Sequence, residues 1–256
     1  MYILECELDA RDADAILEGY LEHGALSVAV LGASETGFNQ RVQVMAQTRS
    51  WFRAQGFSGS PRRLLKSEWQ AGLSGREESQ ELVPGVRVSV DSYGAFGDGA
   101  HPTTRVCAQF FVEYVRERIP NSVLDVGTGT GILGILAATL GAQDVTAFDF
   151  DPDAVKRARK NVRKNRVRVQ VAQADVMTFL GGPYEVVFAN LHTDLIQQCM
   201  PQLIRYVAPG GVLFLSGIAE KWGVEMTAFL STFESICVVE KRLVEGWWGF
   251  WVKRLG

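Results

Sequence analysis

Val123-Leu124-Asp125-Val126-Gly127-Thr128-Gly129-Thr130-Gly131 is an apolar strand with an acid at its end, followed by alternating glycines that open into a helix-like run. Glycine permits positive φ and carries no Cβ, so at the carboxyl edge of a sheet such a turn lets a ligand approach the backbone. The shifted frame Gly129-x-Gly131-x-x-Gly134 also satisfies the GxGxxG pattern of dinucleotide-binding enzymes, and the letters alone cannot choose between them. Placement can. The apolar run ends at Val126, so the tight turn begins at Gly127, and the dinucleotide frame would start two residues late. Asp125 would repel a pyrophosphate but hold a cationic or amino-bearing ligand. Asp125, Gly127 and Gly129 are therefore candidate cradle residues.

Outward from this turn, strand-like and helix-like runs alternate, the signature of a parallel sheet covered on both faces. Strands are expected at Ser122 to Val126, Asp144 to Asp149, Val167 to Ala172, Glu185 to Ala189 and Gly211 to Ser216. Ile236 to Val244 and Trp247 to Lys253, joined by Glu245-Gly246, read instead as an antiparallel hairpin. In its second strand Trp247, Trp248, Phe250 and Trp251 alternate, so some face the core and others the opposite side.

The front of the chain has another rhythm. A strand from Tyr2 to Leu8, a helix from Asp12 to His23, strands at Leu26 to Leu31 and Arg41 to Ala46, and a helix from about Arg49 to Gln55 follow in turn. That β-α-β-β-α order, closed by a short strand near Pro61 to Leu65, predicts a small α+β ferredoxin-like module over residues 1–60. Ser58 to Pro61 and Ser74 to Ser79 read as loop, giving a linker over 61–80 and a second domain over 81–256.

Further acids fall where the sheet's carboxyl edge is expected. Asp149 ends the strand after the glycine turn and can accept two ribose hydroxyls of a nucleoside cofactor. Asp151-Pro152 reads as a helix start, with Asp151 its cap. Asp175, after the third strand, could meet the exocyclic amine of adenine or serve as a turn residue. Asn190 closes the fourth strand, where its amide oxygen could hold an amine N–H and aim the lone pair.

The composition is that of a globular protein: 256 residues, 47% hydrophobic and 21% charged. No apolar run approaches the roughly 20 residues of a membrane-spanning helix, and Met1 to Glu7 carries no basic leader, so a cytoplasmic protein without a membrane partner is expected. The four cysteines show no metal-ligand spacing and read as buried thiols, and no metal site is expected. The net charge of −3 gives no general basic excess that would require nucleic acid. Lys156 to Arg168 is the local exception, with eight basic residues in thirteen. Val155, Ala158 and Val162 recur there at helical spacing, which reads as a solvated helix face, the alternative being a partner-docking patch.

Asp125-x-Gly127-x-Gly129-x-Gly131, Asp149 and the terminal hairpin together resemble the class I S-adenosylmethionine-dependent methyltransferases. Phe96-Gly97-Asp98-Gly99-Ala100-His101-Pro102-Thr103-Thr104 is similar to the FGTGxHxTT signature of the ribosomal protein L11 methyltransferase (PrmA) family, and Val187 to Leu191 resembles its strand ending in Asn. Asp98 stands where that signature has Thr, adding a negative charge that could attract an ammonium group. The resemblance implies a Rossmann-like, mostly parallel α/β sheet with an antiparallel C-terminal hairpin, and a small N-terminal substrate-recognition domain. It implies S-adenosylmethionine contacts from Thr104, Gly127, Asp149 and Asn190, with Phe96 and Gly97 in a covering loop. The implied activity is N-methylation of lysine or N-terminal amines of a protein, the ribosomal protein that names the family. Alternatives are another protein or small-amine substrate, or a silent cofactor-binding docking protein. Asn190 and His101 are the candidate catalytic residues. His101 would either take the departing proton or fix the covering loop through its ring nitrogens.

Overall fold

The computed structural model describes residues 2–9, 27–33, 39–46, 49–57, 61–63, 78–91 and 99–256. The chain divides into two compact units, 1–73 and 74–256.

In the first unit β1 (Tyr2–Asp9), β2 (Ser27–Ala33), β3 (Asn39–Ala46) and β4 (Arg62–Arg63) form a sheet in the order β2-β3-β1-β4, and α1 (Arg49–Ala54) follows β3. All three pairings are antiparallel. A sheet with β1 between β3 and β4 has the topology of a ferredoxin-like βαββαβ unit. The helix expected over 12–23 lies outside the described residues. β2 runs on to Ala33, past the strand end expected at Leu31, because a register shift between Val30 and Gly32 keeps the pairing with β3 going.

The second unit begins with a hairpin that the sequence conceals. β5 (Glu78–Val83) pairs with β6 (Val86–Val90) through the Pro84-Gly85 turn, and Leu82, Val83, Val88 and Val90 are buried in the core. Glu78 and Ser79 were expected in a linker. Their polar run carries no apolar alternation, and pairing with β6 makes it a strand.

The main sheet contains β7 (Ser122–Val126), β8 (Asp144–Asp149), β9 (Gln170–Gln173), β10 (Tyr184–Asn190), β11 (Val207–Ala219), β12 (Ile236–Val244) and β13 (Trp247–Arg254). Their order is β12-β13-β11-β10-β7-β8-β9, parallel from β11 to β9 and antiparallel at β13 and β12. β9 starts three residues later than expected, since Gln170 already pairs with Thr146 near the start of β8 and leaves Val167 little strand to meet. Strand order reverses between β7 and β10. A crevice therefore opens at their carboxyl ends, the place where open α/β sheets bind ligands.

Helices α2 (Pro102–Glu117), α3 (Ile132–Thr139), α4 (Pro152–Asn165), α5 (Thr193–Tyr206) and α6 (Gly223–Ser231) cover this sheet. Side chains alternate across it as strand geometry demands. Val123, Val186, Phe188 and Phe214 pack with α2 and α3 on one face. Leu124, Val126, Val187, Ala189 and Leu215 pack with α5 and α6 on the other. The terminal aromatics divide the same way, Phe250 and Trp248 to the second face and Trp251 to the first. Cys107 and Cys199 are buried, but Cys237, also expected inside, is exposed because it sits on the outer side of the edge strand β12. No described helix is long and apolar enough to cross a membrane.

Candidate functional site

The turn after β7 is built around a buried carboxylate. Asp125, 2% exposed, accepts hydrogen bonds on Oδ2 from Thr128 Oγ1 at 2.5 Å and from the Gly134 amide at 3.0 Å. Gly131 is the N-cap of α3 and offers no side chain, so Asp125 reaches back beneath the loop to satisfy an amide of the first helical turn. The carboxylate thus supports the loop through its own hydrogen bonds, a structural role beside its expected place in the cradle.

Burial pushes the Asp125 pKa up from 3.8 to about 6, aided by the neighbouring Asp149 charge, while the Thr128 and Gly134 hydrogen bonds hold it down. A carboxyl whose folded pKa exceeds its unfolded value binds its proton more tightly when folded. Its contribution to stability therefore falls as pH rises through that window. Relative to Asp125→Asn, the wild type should lose roughly 2–3 kcal/mol between pH 4 and 7. Chemical denaturation of both proteins across that range checks this. A pH-independent difference would show that Asp125 titrates normally.

Gly127, Gly129 and Gly131 all have positive φ, at 65°, 56° and 87°. Space constrains two of them as well. A Cβ on Gly127 would collide with Leu191 Cδ2, and one on Gly131 would come within 3.2 Å of Ala158 Cβ. These glycines thus let β10's exit and α4 close onto the turn, a packing role beside the ligand role expected of them.

Asp149, at the end of β8, accepts the Gly129 amide on Oδ2 at 2.9 Å and the Asp151 amide on Oδ1 at 2.9 Å. Each carboxylate oxygen keeps further acceptor capacity. The half-buried group is fixed in place and faces the loop. Asp151 caps α4 through the Asp153 amide. Asp175 takes the turn role, accepting the Met177 amide at 2.7 Å, and stands after β9 next along the same edge.

Asn190 occupies the other side of the crevice. Ala189 lies opposite Val126 in the register, so Asn190 stands beside Gly127. Its Oδ1 is buried with no hydrogen-bond partner among the described residues, and so is Thr104 Oγ1 in the first turn of α2. They are two of six such buried side-chain atoms among the described residues, and because buried polar atoms are rarely left unsatisfied, each is a candidate for completion by an incoming group.

His101 caps α2. Its Nδ1 lies 2.8 Å from Thr103 Oγ1 and accepts the Thr103 amide at 3.4 Å, and its ring meets Trp247 edge-on at 5.0 Å. Trp247 pairs with Ala219 at the carboxyl end of β11, which places the start of α2 at the same edge as Asn190. An Nδ1 that accepts an amide proton leaves the ring hydrogen of neutral imidazole on Nε2. That arrangement fits a fixing role better than a proton-accepting one. Phe96, Gly97 and Asp98 lie outside the described residues.

Two features escape sequence reading. Phe150 directly follows Asp149 and is 72% exposed, an unusual state for a phenyl ring, and its only sequence signal was adjacency to the acid. Asn161 and Asn165, one turn apart on α4, hydrogen-bond the backbone of Asp91 and Ser89. Asn161 also donates to the Thr130 carbonyl at 2.8 Å, tying the glycine turn to that clamp.

Residues 65–254 match the family model described as Ribosomal protein L11 methyltransferase (PrmA). A relative of that name from Syntrophotalea carbinolica is 40% identical over 171 residues, covering 66% of this chain and 53% of the relative. Another, from Citrifermentans bemidjiense, is 37% identical over 185 residues, with 70% and 57% covered. The chain spans about half the length of the curated relatives it matches. Among solved structures, the ribosomal protein L11 methylase of Lactobacillus delbrueckii subsp. bulgaricus superposes with a TM-score of 0.57 at 26% identity, covering 63% of this chain and 81% of that one.

Proposed function

Because the chain belongs to the ribosomal protein L11 methyltransferase (PrmA) family, we propose that it transfers methyl groups from S-adenosylmethionine to lysine or N-terminal amines of ribosomal protein L11. The observation that carries this reading is the buried, unpartnered amide oxygen of Asn190 at the crevice beside the glycine turn. The first unit, 1–73, is the candidate for recognising the protein substrate.

The residues present fit the cofactor. Asp149 is fixed by two amides and retains capacity for ribose hydroxyls, the exposed Phe150 ring offers a face for the adenine, and Asp175 stands at the next strand end for its exocyclic amine. Gly127 and Gly129 bring bare backbone to the same crevice. Thr104 Oγ1, buried and without a partner among the described residues, is a further candidate contact.

S-adenosylmethionine supplies an electrophilic methyl carbon bound to a sulfonium. The protein's task is to hold a neutral amine in line with it, since such a displacement depends chiefly on position. Asn190 Oδ1 accepts an amine N–H and turns the nitrogen lone pair toward the methyl group. An amide is too weak a base to remove a proton at neutral pH, so the substrate ammonium would give its proton to solvent before attack. The displacement would yield the methylated ammonium, with the cofactor's sulfur leaving as a neutral thioether. His101 holds the start of α2, and with it Thr104, at the crevice.

Incubating the purified chain with methyl-labelled cofactor and separated large-subunit proteins should place the label on L11. A chain that binds the cofactor yet labels no protein would refute the reading in favour of a silent docking protein. Label confined to a different protein would refute the substrate assignment.

A further inference from the structure

Residues 156–168 carry eight of the 26 basic residues in the chain and no acid. Seven of the eight, all but Arg157, are exposed. Lys160 pairs with Asp91 at 2.6 Å, and Arg159 donates to the Val171 carbonyl at 2.8 Å and 3.1 Å. Lys156, Arg163, Arg166 and Arg168 have no ion pair among the described residues.

Local helix energetics explain only the ends of this arrangement: Asp151 and Asp153 at the start of α4 and Arg163 and Lys164 in its last turn suit the helix dipole. Lys156 and Lys160, Arg159 and Arg163, and Lys160 and Lys164 stand four residues apart, where like charges destabilise a helix. The acids of α4 are confined to its start, Asp153 and the capping Asp151, so no opposite charge follows one turn along. Meanwhile residues 91–256 hold 17 basic and 17 acidic residues, so removing the eight leaves 9 against 17. Positive charge is segregated onto one helix of an otherwise acidic unit.

We propose that α4 and the following Arg166 and Arg168 form a docking surface for the phosphate backbone of a nucleic-acid duplex. Complementary charge is the first ground, and its chemistry narrows the partner. Five of the eight basic residues are arginine, whose planar fork matches phosphate oxygens. The apolar residues of the stretch, Ala158 and Val162, are buried, and Val167 packs against the core, so the patch lacks the exposed aromatic or aliphatic centre of a protein interface. The same lack argues against single strands, which are held by stacking bases on aromatic rings. What remains is recognition of a charged backbone by cations spaced along a helix. The surface is independent of the methyl-transfer reading, since Arg163, Arg166 and Arg168 lie at the end of α4 remote from its Asp149-side start.

Fluorescence anisotropy of the full chain with a labelled RNA duplex and a DNA duplex of equal length, over a salt series, tests this. Binding should appear at low salt and weaken steeply as salt rises. Arg163→Gln, Arg166→Gln and Arg168→Gln combined should reduce the slope of log K against log salt by about 3, as expected for three lost phosphate contacts. Lysine at the same three positions should restore the slope. Cofactor affinity should be the same in all three proteins. The affinity ratio of the two duplexes identifies which of them the surface serves. The proposal is overturned if neither duplex binds at low salt, if the glutamine variant keeps the wild-type slope, or if polyglutamate competes as well as the duplexes do.

Discussion

Asn190→Ala should slow methyl transfer by about 100-fold or more in a single turnover at saturating cofactor and protein substrate, the scale of loss when reacting groups are misaligned. The Asn190 amide oxygen is buried and has no partner among the described residues, so its bonding capacity is available to a substrate N–H. Alanine removes that acceptor but keeps the strand, because β10 is held on both sides by β7 and β11 through backbone bonds. Saturating both ligands matters, since Asn190 also stands close enough to the glycine turn to touch the cofactor. The expected signature is a fall in the rate of the chemical step with a pH profile of unchanged shape, because an amide aligns the amine and takes no proton. A wild-type rate under these conditions would remove Asn190 from the reaction.

Asp149→Ala should weaken S-adenosylmethionine by about 3 kcal/mol, more than 100-fold, as measured by calorimetry. Two effects combine. The carboxylate's charge-assisted bonds to ribose hydroxyls are lost, and so is the 2.9 Å bond that fixes the Gly129 amide and with it the loop. Asp149→Asn separates them, because its amide oxygen can still accept from Gly129 while the charge is gone. Asn should therefore fall between wild type and Ala. Equal affinity in all three folded proteins would disprove the ribose assignment.

Much of this architecture is legible in one dimension because its signals are local. Near-continuous apolar runs in β7 and β10, the glycine turn after Val126 and the Glu245-Gly246 hairpin each depend on neighbours a few residues away. β5 escaped notice since it is polar in its first half and is a strand only by pairing with β6. Asp125 was read by its position in a motif. Its role follows from Gly134, nine residues on, whose amide it caps within the buried interior.

By itself the sequence determined a mostly parallel sheet, the turn that opens its ligand crevice, and the set of polar residues at strand ends. Short-range sterics and side-chain periodicity specify those features before any long-range contact forms. Tertiary structure alone decided the surroundings of those residues. It buried Asp125 under the loop, turned His101 into a helix cap, left Asn190 Oδ1 and Thr104 Oγ1 unsatisfied, and exposed Phe150. The physical reason is that burial and hydrogen-bond satisfaction are properties of surroundings assembled from distant segments. The same carboxyl or amide becomes a support or a ligand according to which donors the fold brings to it.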